Sequence, residues 1–202
     1  MSGKLFIISA PSGAGKTTVV SEVLKKVQSS CNLERVVTYT SRKPREGELQ
    51  GKDYNFLSSQ EFEKKISENF FLEWSGEYGN YYGTPRFIAD NVARGSSYLL
   101  IIDMVGAHNI VSIANDPTPL LEKSVVPVWV YTKTMKDLES RLVFRGKNSH
   151  EQIQRRLKQA QKEIEAEKRS SLYVYRVLND DLSRAVEELA SIVKREIGVI
   201  SL

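Results

Sequence analysis

Eight consecutive residues, Ala10-Pro11-Ser12-Gly13-Ala14-Gly15-Lys16-Thr17, place two glycines, one ammonium and two hydroxyls in a single turn. Gly13 and Gly15 let backbone N–H groups point inward at a polyphosphate, and a helix starting at the end of the turn adds its positive dipole end. In such a loop the lysine, Lys16, bridges the β- and γ-phosphates and the Thr17 hydroxyl ligates Mg²⁺. Ala10 stands where the strict pattern has glycine. The bland alternative is a glycine-rich turn with an incidental lysine. The placement of the turn between an apolar strand and a helix argues against it.

A second group is spaced more widely. Arg42 and Arg45 flank Pro44, which stiffens their loop, so two guanidinium forks could hold one phosphate. Tyr54 and Tyr82 can each donate a hydroxyl hydrogen bond without adding charge. Two arginines and two tyrosines together suit a monophosphate.

These residues need a scaffold, and the hydrophobic pattern supplies one. Lys4 to Ser9, Tyr98 to Ile102, Val125 to Tyr131 and Tyr173 to Leu178 read as strands. Helices are expected from Thr17 to about Ser29, Thr134 to about Phe144, Ser149 to about Ser170 and Leu182 to about Glu196. Fully apolar strands alternating with helices predict an α/β fold, a parallel sheet covered on both faces. The stretch 35–95 differs: it is aromatic-rich, broken by Gly and Pro, and holds short strand candidates at Val36 to Thr40 and Phe70 to Trp74. It reads as a small α+β lobe inserted into a core formed by 1–34 and 96–202. Trp74 and Trp129 are expected as packing residues within strands.

Taken together, the P-loop, the string from Arg42 to Phe56, Gly79 to Gly83 and the turn Asn179-Asp180-Asp181 resemble the guanylate kinase family over essentially the whole chain. That resemblance implies phosphoryl transfer from ATP to GMP with Mg as cofactor. It implies that Arg42, Arg45, Tyr54 and Tyr82 contact the GMP phosphate, and that Thr38, Glu73, Thr84 and Asp103 surround the guanine. It places Ala10 to Thr17 and Thr18 on ATP, with Asn179 on the adenine side. Arg141, Arg145 and Arg156 match the arginines of a mobile helical lid, about 145–156, that closes over the phosphates; with Lys16 and Arg42 they form the expected catalytic set.

Chemistry supports the base assignment independently. Guanine presents N1–H and the exocyclic amino group as adjacent donors, so one carboxylate accepts from both, whereas adenine would leave that carboxylate facing a bare acceptor. Glu73, after Phe70-Phe71-Leu72, is the expected carboxylate, against the alternative of an exposed strand glutamate. Asp103 follows an apolar strand, where open parallel sheets bind ligands. The family's usual Asp-x-Asp here reads Ile101-Ile102-Asp103, so no magnesium role is assigned to a second acid on this strand.

Composition narrows the remaining choices. The chain has 202 residues, 41% apolar and 27% charged, as for a single globular unit. No apolar run approaches the ~20 residues of a membrane span, so no membrane partner is expected. Cys31 is the sole cysteine, which precludes an internal disulfide and favours a cytoplasmic setting. His108 and His150 have no Cys or His partners at metal-ligand spacing. The net charge of +4 and pI near 9.0 admit nucleic-acid binding, but the arginines are scattered rather than striped, so none is expected. Two other readings stand beside the kinase: a non-catalytic interaction domain of the same fold, and a P-loop kinase for a phosphorylated sugar, which would not need Glu73. Monomer and homodimer are both open.

Overall fold

The structure is a computed structural model that describes residues 2–77, 79–115, 121, 123–144, 146 and 149–199. The chain runs β1 (Leu5–Ser9), α1 (Lys16–Val27), β2 (Leu33–Arg35), β3 (Tyr39–Thr40), β4 (Asn55–Phe56), α2 (Ser59–Ser67), β5 (Phe71–Glu77), β6 (Asn80–Pro85), α3 (Phe87–Ala93) and β7 (Ser97–Ile101). It continues through α4 (Met104–Asn115), β8 (Val125–Tyr131), α5 (Met135–Phe144), α6 (His150–Lys168), β9 (Tyr175–Leu178) and α7 (Leu182–Ile197).

Every residue of β1 is buried. Successive side chains on a strand point to opposite faces, so Phe6 and Ile8 enter one apolar cluster while Leu5 and Ile7 enter another. A strand with two apolar faces must lie inside a sheet covered on both sides. The five-stranded sheet has the order β2-β7-β1-β8-β9, with all pairings parallel. One face is covered by α1 and α7, through Val19, Val20, Val23 and Val27 against Ala185, Leu189, Ala190 and Val193. The other is covered by α3 and α4, through Ile88, Ala89, Val92, Ala107 and Ile110. The central position of β1 brings the loop after Ser9 to the middle of the carboxyl edge, where such sheets bind ligands.

The second sheet has the order β4-β3-β6-β5. β5 and β6 form an antiparallel pair with a register shift between Phe71 and Glu73, and β5 also packs against α4 of the core. Helix α2 opens with a capping box between Ser58 and Glu61. It buries Phe62, which stacks on Phe71 at 4.4 Å and Tyr81 at 5.2 Å.

The α/β expectation holds, with local differences. β2 pairs with β7 in the core sheet, and the strand expected over Val36 to Thr40 shrinks to Tyr39–Thr40. The backbone has to leave one sheet and enter the other between Arg35 and Tyr39. Trp129 is buried against Tyr173, as expected. Trp74 is not a packing residue of that kind: it lies on β5 but is 43% exposed, edge-on to Tyr81, because the neighbouring Glu73 takes the inward face. Among the described residues no helix is long and apolar enough to cross a membrane.

Candidate active site

Between β1 and α1 the chain turns at Gly15, whose φ of +89° is a left-handed conformation that disfavours a side chain. Space forbids one as well: a Cβ there would lie 2.7 Å from Asn179 Nδ2. Asn179 is buried and donates through that nitrogen to the Ala14 carbonyl at 2.7 Å. Arg141, on α5, donates to the same carbonyl at 3.2 Å and to the Asn179 carbonyl at 2.6 Å. Asn179, expected on the adenine side, and Arg141, expected among the lid arginines, therefore both brace the loop through the Ala14 carbonyl. Lys16 Nζ donates to the Ala10 carbonyl at 2.8 Å, which folds the lysine back across the turn. Thr17 and Thr18 are exposed on the first turn of α1. From α6, Arg156 Nε donates to Ser12 Oγ at 2.9 Å. Arg145 lies outside the described residues.

In the second sheet, the Arg42 guanidinium pairs with Glu48 at 2.9 Å and lies 5.5 Å from the Tyr54 ring centre. Glu48 also accepts from the Arg45 backbone N–H at 2.7 Å, so one carboxylate closes the 42–48 loop. The Arg45 side chain itself is exposed. Tyr54 and Tyr82 have ring centres 6.2 Å apart, and burial pushes the Tyr54 hydroxyl pKa up, keeping it a neutral donor. Arg42, Tyr54 and Tyr82 are thus brought together, with a protein carboxylate already against the arginine.

Glu73 is no exposed strand residue: only 6% of its surface is accessible. It accepts from Thr84 Oγ1 at 2.8 Å across the β5–β6 pair. Burial raises its pKa to about 7; the Thr84 hydrogen bond opposes this and the nearby Asp103 charge adds to it. Asp103 caps α4 by accepting from the Gly106 N–H at 2.7 Å, and its other oxygen accepts from Ser75 Oγ at 3.2 Å. The two acids meet over the first turn of α4: a Cβ on Gly106 would stand 2.9 Å from Glu73 Oε2. Glycine there leaves the carboxylate its room. Thr38 is buried on the connection from β2 to β3, where its carbonyl accepts from Asn55 N–H at 2.8 Å. A buried acid with one hydroxyl partner and a second acid beside it can accept several adjacent N–H donors of a planar base.

Ser75, Gly106, Glu48 and Glu163 join these surroundings although no motif in the sequence marks them. Ser75 was detectable as the same-face neighbour of Glu73 two residues on. Glu163 lies seven residues past Arg156 on α6 and accepts from the Ser12 N–H at 3.3 Å. Among the described residues no group of three or more His, Cys, Asp or Glu side chains could hold a metal ion.

The family model described as guanylate kinase matches residues 2–196. The guanylate kinase of Wolbachia pipientis wMel is 40% identical over 195 residues, covering 96% of this chain and 90% of the relative. That of Dechloromonas aromatica is 38% identical over the same length and share of this chain, and 90% of its own. The crystal structure of guanylate kinase from Anaplasma phagocytophilum superimposes with a TM-score of 0.75 at 28% identity, covering 96% of this chain and 86% of that one. A family match over residues 2–196, with relatives near 40% identity across almost the whole chain, has one outcome: the chain belongs to the guanylate kinase family.

Proposed function

We propose that this chain transfers the γ-phosphoryl group of ATP to GMP, giving ADP and GDP, and that the buried Glu73 carboxylate selects the guanine. An oxygen of the GMP phosphate attacks the γ-phosphorus while the bond to the β–γ bridging oxygen breaks and ADP leaves. Such a transfer needs little covalent help from the protein; it needs in-line placement and positive charge around the moving group. Arg42, Arg45, Tyr54 and Tyr82 hold the acceptor phosphate. Glu73 and Asp103, with Thr38 and Thr84, take the base. The P-loop from Ala10 to Thr18 holds the donor, Lys16 lies along its β- and γ-phosphates, and Asn179 borders the adenine. Arg141, Arg145 and Arg156 gather over the phosphates as the 145–156 lid closes toward the 35–95 lobe, which keeps water out.

The residues present fit magnesium. Thr17 offers an exposed hydroxyl at the start of α1, and Mg²⁺ in such sites takes most of its ligands from phosphates and water rather than from a cage of acids. Bound there, the ion would neutralise charge on the β- and γ-oxygens. A cytoplasmic protein belongs to the same reading. The test of transfer is ³¹P NMR of the protein with Mg-ATP and GMP. ADP and GDP should appear in equal amounts, and ADP accompanied by orthophosphate instead would contradict the reading.

Glu73 gives the reaction a pH dependence. With its pKa near 7, the free protein carries it partly protonated at neutral pH, yet only the ionised form accepts from both guanine donors. The sign follows: kcat/KM for GMP rises with pH up to about 7 and levels above it, while the KM for ATP lacks this inflection. GMP's own phosphate titrates nearby, at about 6, so the control is Glu73→Gln. A profile that this substitution leaves unchanged belongs wholly to the substrate and would refute the assignment; loss of the component at about 7, with the substrate's own at about 6 remaining, is the expected result.

A further inference from the structure

Helix α6 touches the P-loop with two charged side chains of opposite sign. Arg156 donates to Ser12 Oγ at 2.9 Å, and Glu163 accepts from the Ser12 backbone N–H at 3.3 Å. Seven residues are two helical turns, so both lie on one stripe, with Ala160 fully buried between them. The other Glu163 oxygen accepts from Gln159 Nε2 at 3.1 Å, which fixes the carboxylate's rotamer from within the helix. Burial pushes the Glu163 pKa up, while the Lys16 ammonium, Gln159 and the Ser12 N–H favour its ionised form. A carboxylate near the P-loop lysine and on a P-loop N–H has the surroundings of a bound phosphate oxygen.

We propose that Glu163 is a phosphate surrogate: a positioning residue that docks α6, and Arg156 with it, on the nucleotide-free P-loop, and that is displaced when a triphosphate enters. The inference rests on the assignment of the P-loop to ATP. Two anions cannot share one lysine and one N–H cradle at full strength, because like charges at contact repel. The incoming triphosphate carries the greater charge and more acceptor oxygens, so it takes the cradle and Glu163 gives way. Part of the intrinsic affinity for ATP is then spent in undocking α6, as in any equilibrium whose binding-competent state is only partly populated. The same step frees Arg156 from Ser12 to reach the phosphates, so donor binding and lid closure are coupled through one side chain.

The test is calorimetric titration of the full chain with the β,γ-imido analogue of ATP and Mg²⁺, and separately with GMP. It compares wild type, Glu163→Gln and Glu163→Asp, with melting temperatures taken alongside. Glu163→Gln keeps the shape and the acceptor oxygen but loses the charge. Its Kd for the analogue should fall about fivefold or more, the low end of typical coupling between sites, while its Kd for GMP stays as in wild type. Glu163→Asp keeps the charge but falls short of Ser12, and should shift the analogue affinity in the same direction by less. It serves where Glu163→Gln does not fold. A purely structural role would weaken both nucleotides together. Analogue affinity that is equal to wild type or weaker in the folded variants would overturn the surrogate role. Failure of wild type to bind the analogue at all would instead overturn the P-loop assignment.

Discussion

Lys16→Ala is expected to lower kcat by roughly 10²–10³-fold, the cost of removing one preorganised charge from a transition state. The melting temperature should change little. Lys16 begins α1, but the packing that holds this helix comes from Val19, Val20, Val23 and Val27, all of which remain. Its ammonium is half-buried and folded onto the Ala10 carbonyl at 2.8 Å, so it already lies across the mouth of the turn. Charge built up on the γ-phosphoryl oxygens during transfer has no other P-loop cation to meet. Stopped-flow or coupled-assay turnover, with thermal melting as the folding control, checks this. A loss of less than about tenfold in a folded variant would mean that phosphoryl charge is met chiefly by the arginines.

Glu73→Gln should reduce kcat/KM for GMP by roughly 10–200-fold, equivalent to about 1–3 kcal/mol. The KM for ATP should stay within about twofold. The amide keeps one acceptor oxygen but turns an NH₂ group toward a guanine donor, so one pairing is lost and a donor is left facing a donor. Thr84, at 2.8 Å from the carboxylate, would hold the glutamine side chain in nearly the same place, so lost charge rather than lost shape is tested. The substitution also bears on stability. A folded-state pKa raised above the ordinary carboxylate range favours the folded chain at low pH, and this contribution is lost as pH rises from about 4.5 to about 7. The ligand-free glutamine variant should therefore gain in melting temperature relative to wild type at pH 8 and not at pH 5. An unchanged preference for GMP over AMP would remove Glu73 from base recognition.

Much of the core was legible because its signals are local. The runs Leu5–Ser9 and Val125–Tyr131 are apolar without alternation, which only a strand covered on both faces explains. The phosphate loop announces itself by residue type and by its place between strand and helix. The inserted segment was less legible. Helix α2 carries a readable start signal in Ser58 and Glu61, yet its core contribution is the single residue Phe62, too little to give a periodic stripe. Helix α4 is weakly amphipathic and is capped by Asp103, whose side chain is also proposed to face the base. An Asp that ends an apolar strand carries no sign in the sequence that it also caps the next helix. β2 has only three residues and is defined by pairing with β7, more than sixty positions later, so no local pattern reveals which sheet it joins.

The same distinction runs through the site. Glu73 was identifiable because guanine chemistry demands a buried carboxylate and the preceding residues are apolar. Glu48 and Glu163 were not, because what makes them notable is what they face: Arg42 across a loop, and Ser12 with Lys16 across some 150 residues of chain. Charged residues on a long charged helix read as solvated until the fold shows which one turns inward. Resemblance puts Asn179 on the adenine side and Arg141 among the lid arginines, but their bracing of the Ala14 carbonyl is a property of the folded loop alone.

The most direct test of the account is ADP formation by the purified protein with Mg-ATP and, separately, GMP, AMP, CMP, UMP and dTMP. Rapid turnover with GMP, and at most about one hundredth of that rate with AMP, is the predicted result. It would tie acceptor choice to the pocket built from Glu73, Thr84 and Asp103. Equal turnover of GMP and AMP, or none with any acceptor by protein that melts cooperatively, would contradict it.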